Sequence, residues 1–106
     1  MNIIRLKEVE GVLNQRGVLS KKLVDHQHTR VMNLILEPGD AVPEHQVPVD
    51  VFFYIISGKG TIQIGDEKAI IQAEEVILCP PNTKMALWAD QKEKLVFLNV
   101  KTPNLP

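Results

Sequence analysis

The sequence has a single cysteine, no excess of either charge and no long apolar run. Cys79 cannot form a disulfide within the chain, so we expect a reducing, cytoplasmic compartment. The 12 basic and 13 acidic residues of the chain are interspersed and give a net charge of −1. This balance argues against a nucleic acid or an anionic membrane surface as partner. The most apolar segment, Val51–Ile56, is far too short to span a bilayer. We therefore expect no nucleic acid and no membrane among the partners.

Short apolar segments separated by turn residues fill most of the 106-residue chain, of which 44% is apolar. From Val18 onward the pattern predicts roughly eight to ten short strands and no long helix, which is typical of an all-β sandwich or barrel. We expect one domain, the barrel of residues 18–106, preceded by an N-terminal arm, residues 1–17, that contains a short strand or turn.

The expected strands are bounded by glycine, proline and polar clusters. Ser57 and Gly58 are predicted to form a turn between two of them, and the tail after Val100 is predicted to be extended. In the second strand, Met32, Leu34 and Leu36 share one face. The predicted strands are Val18–Val24, Arg30–Glu37, Val51–Ile56, Thr61–Ile64, Lys68–Gln72, Val76–Cys79, Lys84–Ala89 and Leu95–Val100.

Residues 38–58 carry the most informative features of the sequence. A Pro-Gly turn is followed by the segment PEHQVP, which contains His45, and then by the aromatic strand Val51–Ile56 and a Gly-x-Gly. Farther on, an apolar strand runs into Pro-Pro-Asn-Thr at residues 80–83. This order resembles a small single-domain cupin over roughly residues 18–101. The resemblance implies a cupin double-stranded β-helix, or jelly-roll, barrel, the class that the strand pattern already predicts.

The resemblance also implies a metal site with four protein ligands, three from the first cupin motif and one from the second. In the register that places the opening and closing glycines of the first motif on Gly39 and Gly58, the first histidine falls on His45. The other three ligand positions fall on Val47, Val51 and Met85.

This ligand set is poorly suited to a divalent metal, which needs three or four converging nitrogen, oxygen or sulfur donors. Valine offers none, and a methionine thioether is a poor ligand for Fe²⁺, Mn²⁺ or Zn²⁺. We therefore expect no cofactor, with an incomplete metal site around His45 as the alternative. Since positions 45, 47 and 51 share strand parity, the sequence predicts an apolar ligand pocket lined by His45, Val47, Val51, Phe53, Cys79 and Met85.

Several of these residues have an alternative interpretation without function. His45 is either a hydrogen-bonding or acid–base group in the pocket or a remnant that does nothing. Asp50 is expected to face away from the barrel unless a bulge turns it inward. His26 and His28 are expected to be solvated turn residues, with adventitious metal binding as the alternative. Cys79 is expected to be a buried, inert thiol, with pocket lining as the alternative.

Three functions remain open from the sequence. The first is a metal-free cupin that binds a small apolar molecule as a sensor, carrier or pocket module. The second is a small enzyme, for which the resemblance implies dioxygenase, isomerase or decarboxylase activity, with His45 as the only catalytic candidate. The third is a structural dimerisation module whose barrel is filled by Phe53 and Met85.

Both faces of the strand Val51–Ile56 are apolar, so the face outside the barrel needs a cover. The N-terminal arm, a second sheet or a second subunit could supply it. For all three functions we therefore expect a homodimer.

Overall fold

Nine antiparallel strands and one turn of 3₁₀ helix, Leu6–Glu8, form the described part of the chain, residues 1–105, in this computed structural model. The prediction of an all-β fold is confirmed. Pro106, the last residue of the predicted barrel domain, lies outside the described residues. The strands are β1 (Val12–Leu13), β2 (Leu19–His26), β3 (Thr29–Leu36), β4 (Ala41–His45), β5 (Asp50–Ile64), β6 (Glu67–Gln72), β7 (Val76–Cys79), β8 (Met85–Ala89) and β9 (Leu95–Thr102).

The sheet is organised around β5, which runs for 15 residues. The strand order is β1-β2-β3-β9-β5-β8-β4, and β6 and β7 also pair with β5. The first half of β5 pairs with β7 and β9, whereas the second half pairs with β6 and β8. Because β5 pairs with both groups of strands, the sheet curls into a jelly-roll barrel.

The predicted turn at Ser57 and Gly58 is wrong, because β5 continues through it. The pairing with β9 shifts register between Ile55 and Ser57, which marks a β-bulge. Gly58 adopts a φ of 87°, and a Cβ at this position would collide with the backbone carbonyl oxygen of Lys94. Glycine is needed here for a bend within a strand. A bend and a turn both favour glycine, so the sequence does not distinguish them.

The barrel interior is packed with apolar side chains from alternate positions of β3, β5 and β9. Phe53 and Phe97 are fully buried, and their rings meet edge to face with centroids 5.8 Å apart. The predicted shared face of Met32, Leu34 and Leu36 is the inner face of β3, since two of these residues line the internal cavity and Leu36 is fully buried.

The N-terminal arm covers an edge and part of the outer surface of the barrel. β1 pairs with β2, and the Lys21 ammonium donates a hydrogen bond to the Leu6 carbonyl oxygen at 3.0 Å. The arm therefore contains both a helical turn and a short strand. Within residues 1–105, no helix is long and apolar enough to cross a membrane.

Candidate functional site

A cavity of about 260 Å³ lies inside the barrel and is partly open to solvent. Strands β3, β5 and β9 form one wall, and β4 and β8 form the facing wall. Its apolar lining consists of Met32, Leu34, Val42, Phe53, Leu87 and Phe97. Its polar lining consists of Asn14, Arg16, Ser20, Arg30, His45, Asn99 and Lys101.

His45 lies on the cavity wall at the end of β4, where it pairs with Met85 of β8. Its side chain is half-buried. The ring Nδ1 lies 2.9 Å from the carbonyl oxygen of Pro43. A carbonyl oxygen can only accept, so Nδ1–H donates this bond, and the neutral tautomer compatible with it has its lone pair on Nε2. The bond fixes the imidazole and leaves one nitrogen free to accept a proton or a hydrogen bond.

The fold brings the six predicted pocket residues into one region, but only two of them line the cavity. His45 and Phe53 line it. Val51, Cys79 and Met85 are buried in the hydrophobic core, and Val47 packs against that core from a half-buried position. Contact between a ligand and these four residues stays a prediction.

The residues around His45 do not fit the metal that the cupin resemblance implies. Within residues 1–105, no group of three or more His, Cys, Asp or Glu side chains is placed to hold a metal ion. Of the other three ligand positions, Met85 pairs with His45 across β4 and β8, and Val51 and Met85 belong to the hydrophobic core. A lone imidazole cannot complete the three or four donors that zinc or iron requires.

The remaining polar candidates lie away from the cavity wall. Asp50, His26 and His28 are exposed, and the His28 backbone N–H donates to His26 Nδ1 at 3.2 Å. Cys79 is 2% exposed, and its Sγ lies 3.7 Å from the carbonyl oxygens of Pro80 and Thr83. Burial raises the pKa of the Cys79 thiol, which lowers its thiolate fraction and its reactivity.

Two basic residues lie directly opposite each other on the inner face of the barrel. Arg30 of β3 pairs with Lys101 of β9, and both line the cavity. The Lys101 ammonium donates to Asn99 Oδ1 at 3.2 Å. Burial, and to a lesser degree the nearby Arg30 charge, lower the pKa of Lys101 below its ordinary 10.5. The Arg30 Nε–H is buried, and no group among residues 1–105 accepts a hydrogen bond from it.

Reasoning from the sequence missed these cations, although a signal was present. Arg30 has the same strand parity as Met32 and Leu34, which were expected on one face. Lys101 has the same parity as Phe97, but it was assigned to the tail after Val100. In the structure β9 extends to Thr102, so Lys101 belongs to the inner face.

Comparison with known proteins supports the same fold. The family profile described as "Cupin domain" matches residues 32–101. An uncharacterised protein of Methanocaldococcus jannaschii is 28% identical over 85 residues, which cover 79% of this chain and 73% of that protein.

Two solved structures illustrate the likeness of the fold. The polyketide cyclase RemF from Streptomyces resistomycificus has a TM-score of 0.89 at 16% identity, covering 100% of this chain and 82% of that one. A cupin described as RmlC-like from Shewanella frigidimarina has a TM-score of 0.86 at 11% identity, covering 94% and 88%. At identities this low, the similarity shows a shared fold and nothing about function.

Proposed function

Because the chain belongs to the cupin domain family, we propose that it is a metal-free cupin that binds a small molecule in its barrel cavity and serves as a sensor, carrier or pocket module. The observation that carries this proposal is the cavity of about 260 Å³ that reaches His45 and Phe53. A recess that combines apolar and aromatic side chains with convergent polar groups is the usual form of a small-molecule site. A fully packed barrel would have favoured the structural module instead.

The metal-free part of the proposal rests on the donor set. The ligand positions other than His45 hold Val47, Val51 and Met85, of which the two last are buried in the core. Inserting a metal there would require a cation to replace packed hydrocarbon without gaining ligands. We expect only traces of metal in the untagged protein purified without chelators, measured by elemental analysis. Near-stoichiometric iron, manganese, nickel or zinc would overturn this part of the proposal.

An enzyme is the second candidate, favoured by the shared cavity of His45, Arg30 and Lys101. The free Nε2 of His45 could act as a general base, and a neighbouring cation could stabilise a developing negative charge. Turnover that persists in EDTA and disappears in His45→Ala would place this candidate first.

A cytoplasmic homodimer is the proposed context of this pocket. A single thiol and no disulfide suit a reducing compartment. The outer face of the first half of β5 carries half-buried Phe52 and Tyr54, beside Leu78 of β7, which is 71% exposed. An apolar row of this kind is better covered by a second copy than left to solvent.

A further inference from the structure

We propose that the ligand is a small monocarboxylic acid with an apolar body, whose carboxylate lies between Arg30 and Lys101. This inference rests on the proposed function, because it names the chemistry of the molecule that the cavity holds. It extends the expectation of a small, mostly apolar ligand, because the cavity wall also carries cations.

The charge of the cavity wall has one sign. Arg16, Arg30 and Lys101 line the cavity, and none of its lining residues is acidic. Asp25 lies across the β2–β3 pair from Arg30, but its carboxylate is 3.4 Å from Lys22 Nζ and accepts from Asn104 Nδ2 at 2.7 Å. Within residues 1–105, neither Arg30 nor Lys101 forms an ion pair, as the pairs there are Lys22–Asp25, Lys84–Glu44 and Lys94–Glu37.

Arg30 and Lys101 are half-buried, and a cation that is partly removed from water is stabilised by a bound anion. The Arg30 Nε–H has no acceptor within the described chain, and the Lys101 ammonium uses one of its three hydrogens on Asn99. A guanidinium presents its N–H groups as a planar fork that matches a carboxylate, and the ammonium adds a second charge-assisted bond. Lys101 and Arg30 are therefore arranged as a ready-made carboxylate clamp.

The rest of the cavity lining indicates the size and polarity of the part of the ligand beyond its carboxylate. Besides the cations and a few neutral polar groups, the lining has an apolar part, with Phe53 and Phe97 on the same wall and Leu87 facing them. A volume of about 260 Å³ corresponds to roughly nine water volumes, which suits a molecule of about eight to ten non-hydrogen atoms. A compact inorganic anion would leave the apolar part of the wall unfilled.

The experiment compares acids with their uncharged amides. Phenylacetate and 4-methylpentanoate fit the volume, and phenylacetamide and 4-methylpentanamide have nearly the same shapes without the charge. Binding to the full chain is followed by calorimetry, and the site is located from the NMR shifts of the Phe53 and His45 side chains. We expect saturable binding of at least one acid, with its amide weaker by about tenfold or more, the ratio expected for a lost charge-assisted hydrogen bond. Sulfate should bind more weakly than that acid.

Three variants localise the effect. Arg30→Met and Lys101→Met should each weaken the acid by about tenfold or more and leave amide binding unchanged. Lys84→Met is the matched control, because it removes one positive charge from an exposed surface pair and should leave both affinities unchanged. Acids and amides that bind equally would overturn the inference and leave the proposed small-molecule site standing. If none of the four probes binds at millimolar concentration, the inference falls and the proposed function loses its support as well.

A second readout does not depend on the chosen probes. If Arg30 is held for a ligand, its removal relieves an unpaired buried group, so the ligand-free Arg30→Met protein should melt at a higher temperature than the wild type. A lower melting temperature, or failure to fold, would mean that Arg30 stabilises the barrel itself and would overturn the inference.

Discussion

At the scale of single residues, the least expected feature is a lysine and an arginine side by side on the inner wall of the barrel. Burial and the neighbouring Arg30 lower the pKa of Lys101 below 10.5. A bound carboxylate acts in the opposite direction, because an opposite charge favours the protonated ammonium. If phenylacetate binds as proposed, the complex should hold the Lys101 proton more tightly than the ligand-free protein does.

This difference predicts how phenylacetate binding depends on pH. By linkage, the affinity should be highest where Lys101 is already charged and should fall as the pH rises through its lowered pKa. It should also fall below about pH 5, where the probe itself becomes a neutral acid. Calorimetric titrations from about pH 4 to about pH 10 measure both limits.

The controls for this profile are the other titratable groups that face the cavity. Arg16 and Arg30 also line the cavity. His45 faces the same space from β4, and His45→Gln separates its contribution. The alkaline decline should be absent in Lys101→Met. A decline that persists in that variant would assign the effect to another group.

Residues of the candidate site could be predicted only where both the cupin resemblance and the alternation of side chains along a strand applied. His45 and Phe53 could be placed near the pocket because both lie in residues 38–58, where the motif fixes the register. Arg30 and Lys101 lie outside that stretch. Charged residues near strand ends are normally solvated, and only the pairing of β3 with β9 places these two together inside the barrel.

At the scale of single elements, β5 carries the fold through the bend at Gly58. Gly58→Ala should be strongly destabilising, because the residue has a φ of 87° and the added Cβ would meet the Lys94 carbonyl. Left-handed backbone strain costs about 1–2 kcal/mol, and overpacking adds about 1–3 kcal/mol. We expect a loss of about 3 kcal/mol or more in the free energy of unfolding, measured by urea denaturation.

Gly17→Ala is the matched control for this change. Gly17 has a φ of 76°, and a Cβ there would meet nothing within 4 Å. It should therefore lose only the strain of about 1–2 kcal/mol. Equal losses of unfolding free energy in the two variants would show that the clash between the added Cβ and the Lys94 carbonyl costs nothing measurable.

The strands themselves were largely predictable because their alternation is local. The bounds of Val76–Cys79 are those of β7, since Pro80 ends the strand in the sequence as in the fold. The continuity of β5 was not predictable from local signals. Gly58 and Gly60 look like turn residues until the neighbouring strands are known, and both are glycine because other backbone segments approach them closely.

At the scale of the whole molecule, the open question is what covers the outer face of the barrel. Val76 and Leu78 are 57% and 71% exposed, and they pair with Tyr54 and Phe52 of β5. A standard interface takes about 800 Å² from each partner, about an eighth of the 6691 Å² surface of this chain. The exposed Val76 and Leu78 beside Phe52 and Tyr54 lead us to expect that this β5–β7 surface forms the interface of a homodimer.

Leu78→Asp tests this expectation, because a charge in the middle of an apolar interface has to be desolvated on association. The wild type should be a dimer by light scattering at micromolar concentration, and the variant should shift to monomer. Ile70→Asp is the control, since Ile70 is equally exposed at 70% but lies on β6 beside Thr61, away from Phe52. That variant should stay dimeric. A monomeric wild type would contradict the dimer, whereas dissociation by Ile70→Asp alone would move the interface to the other half of β5.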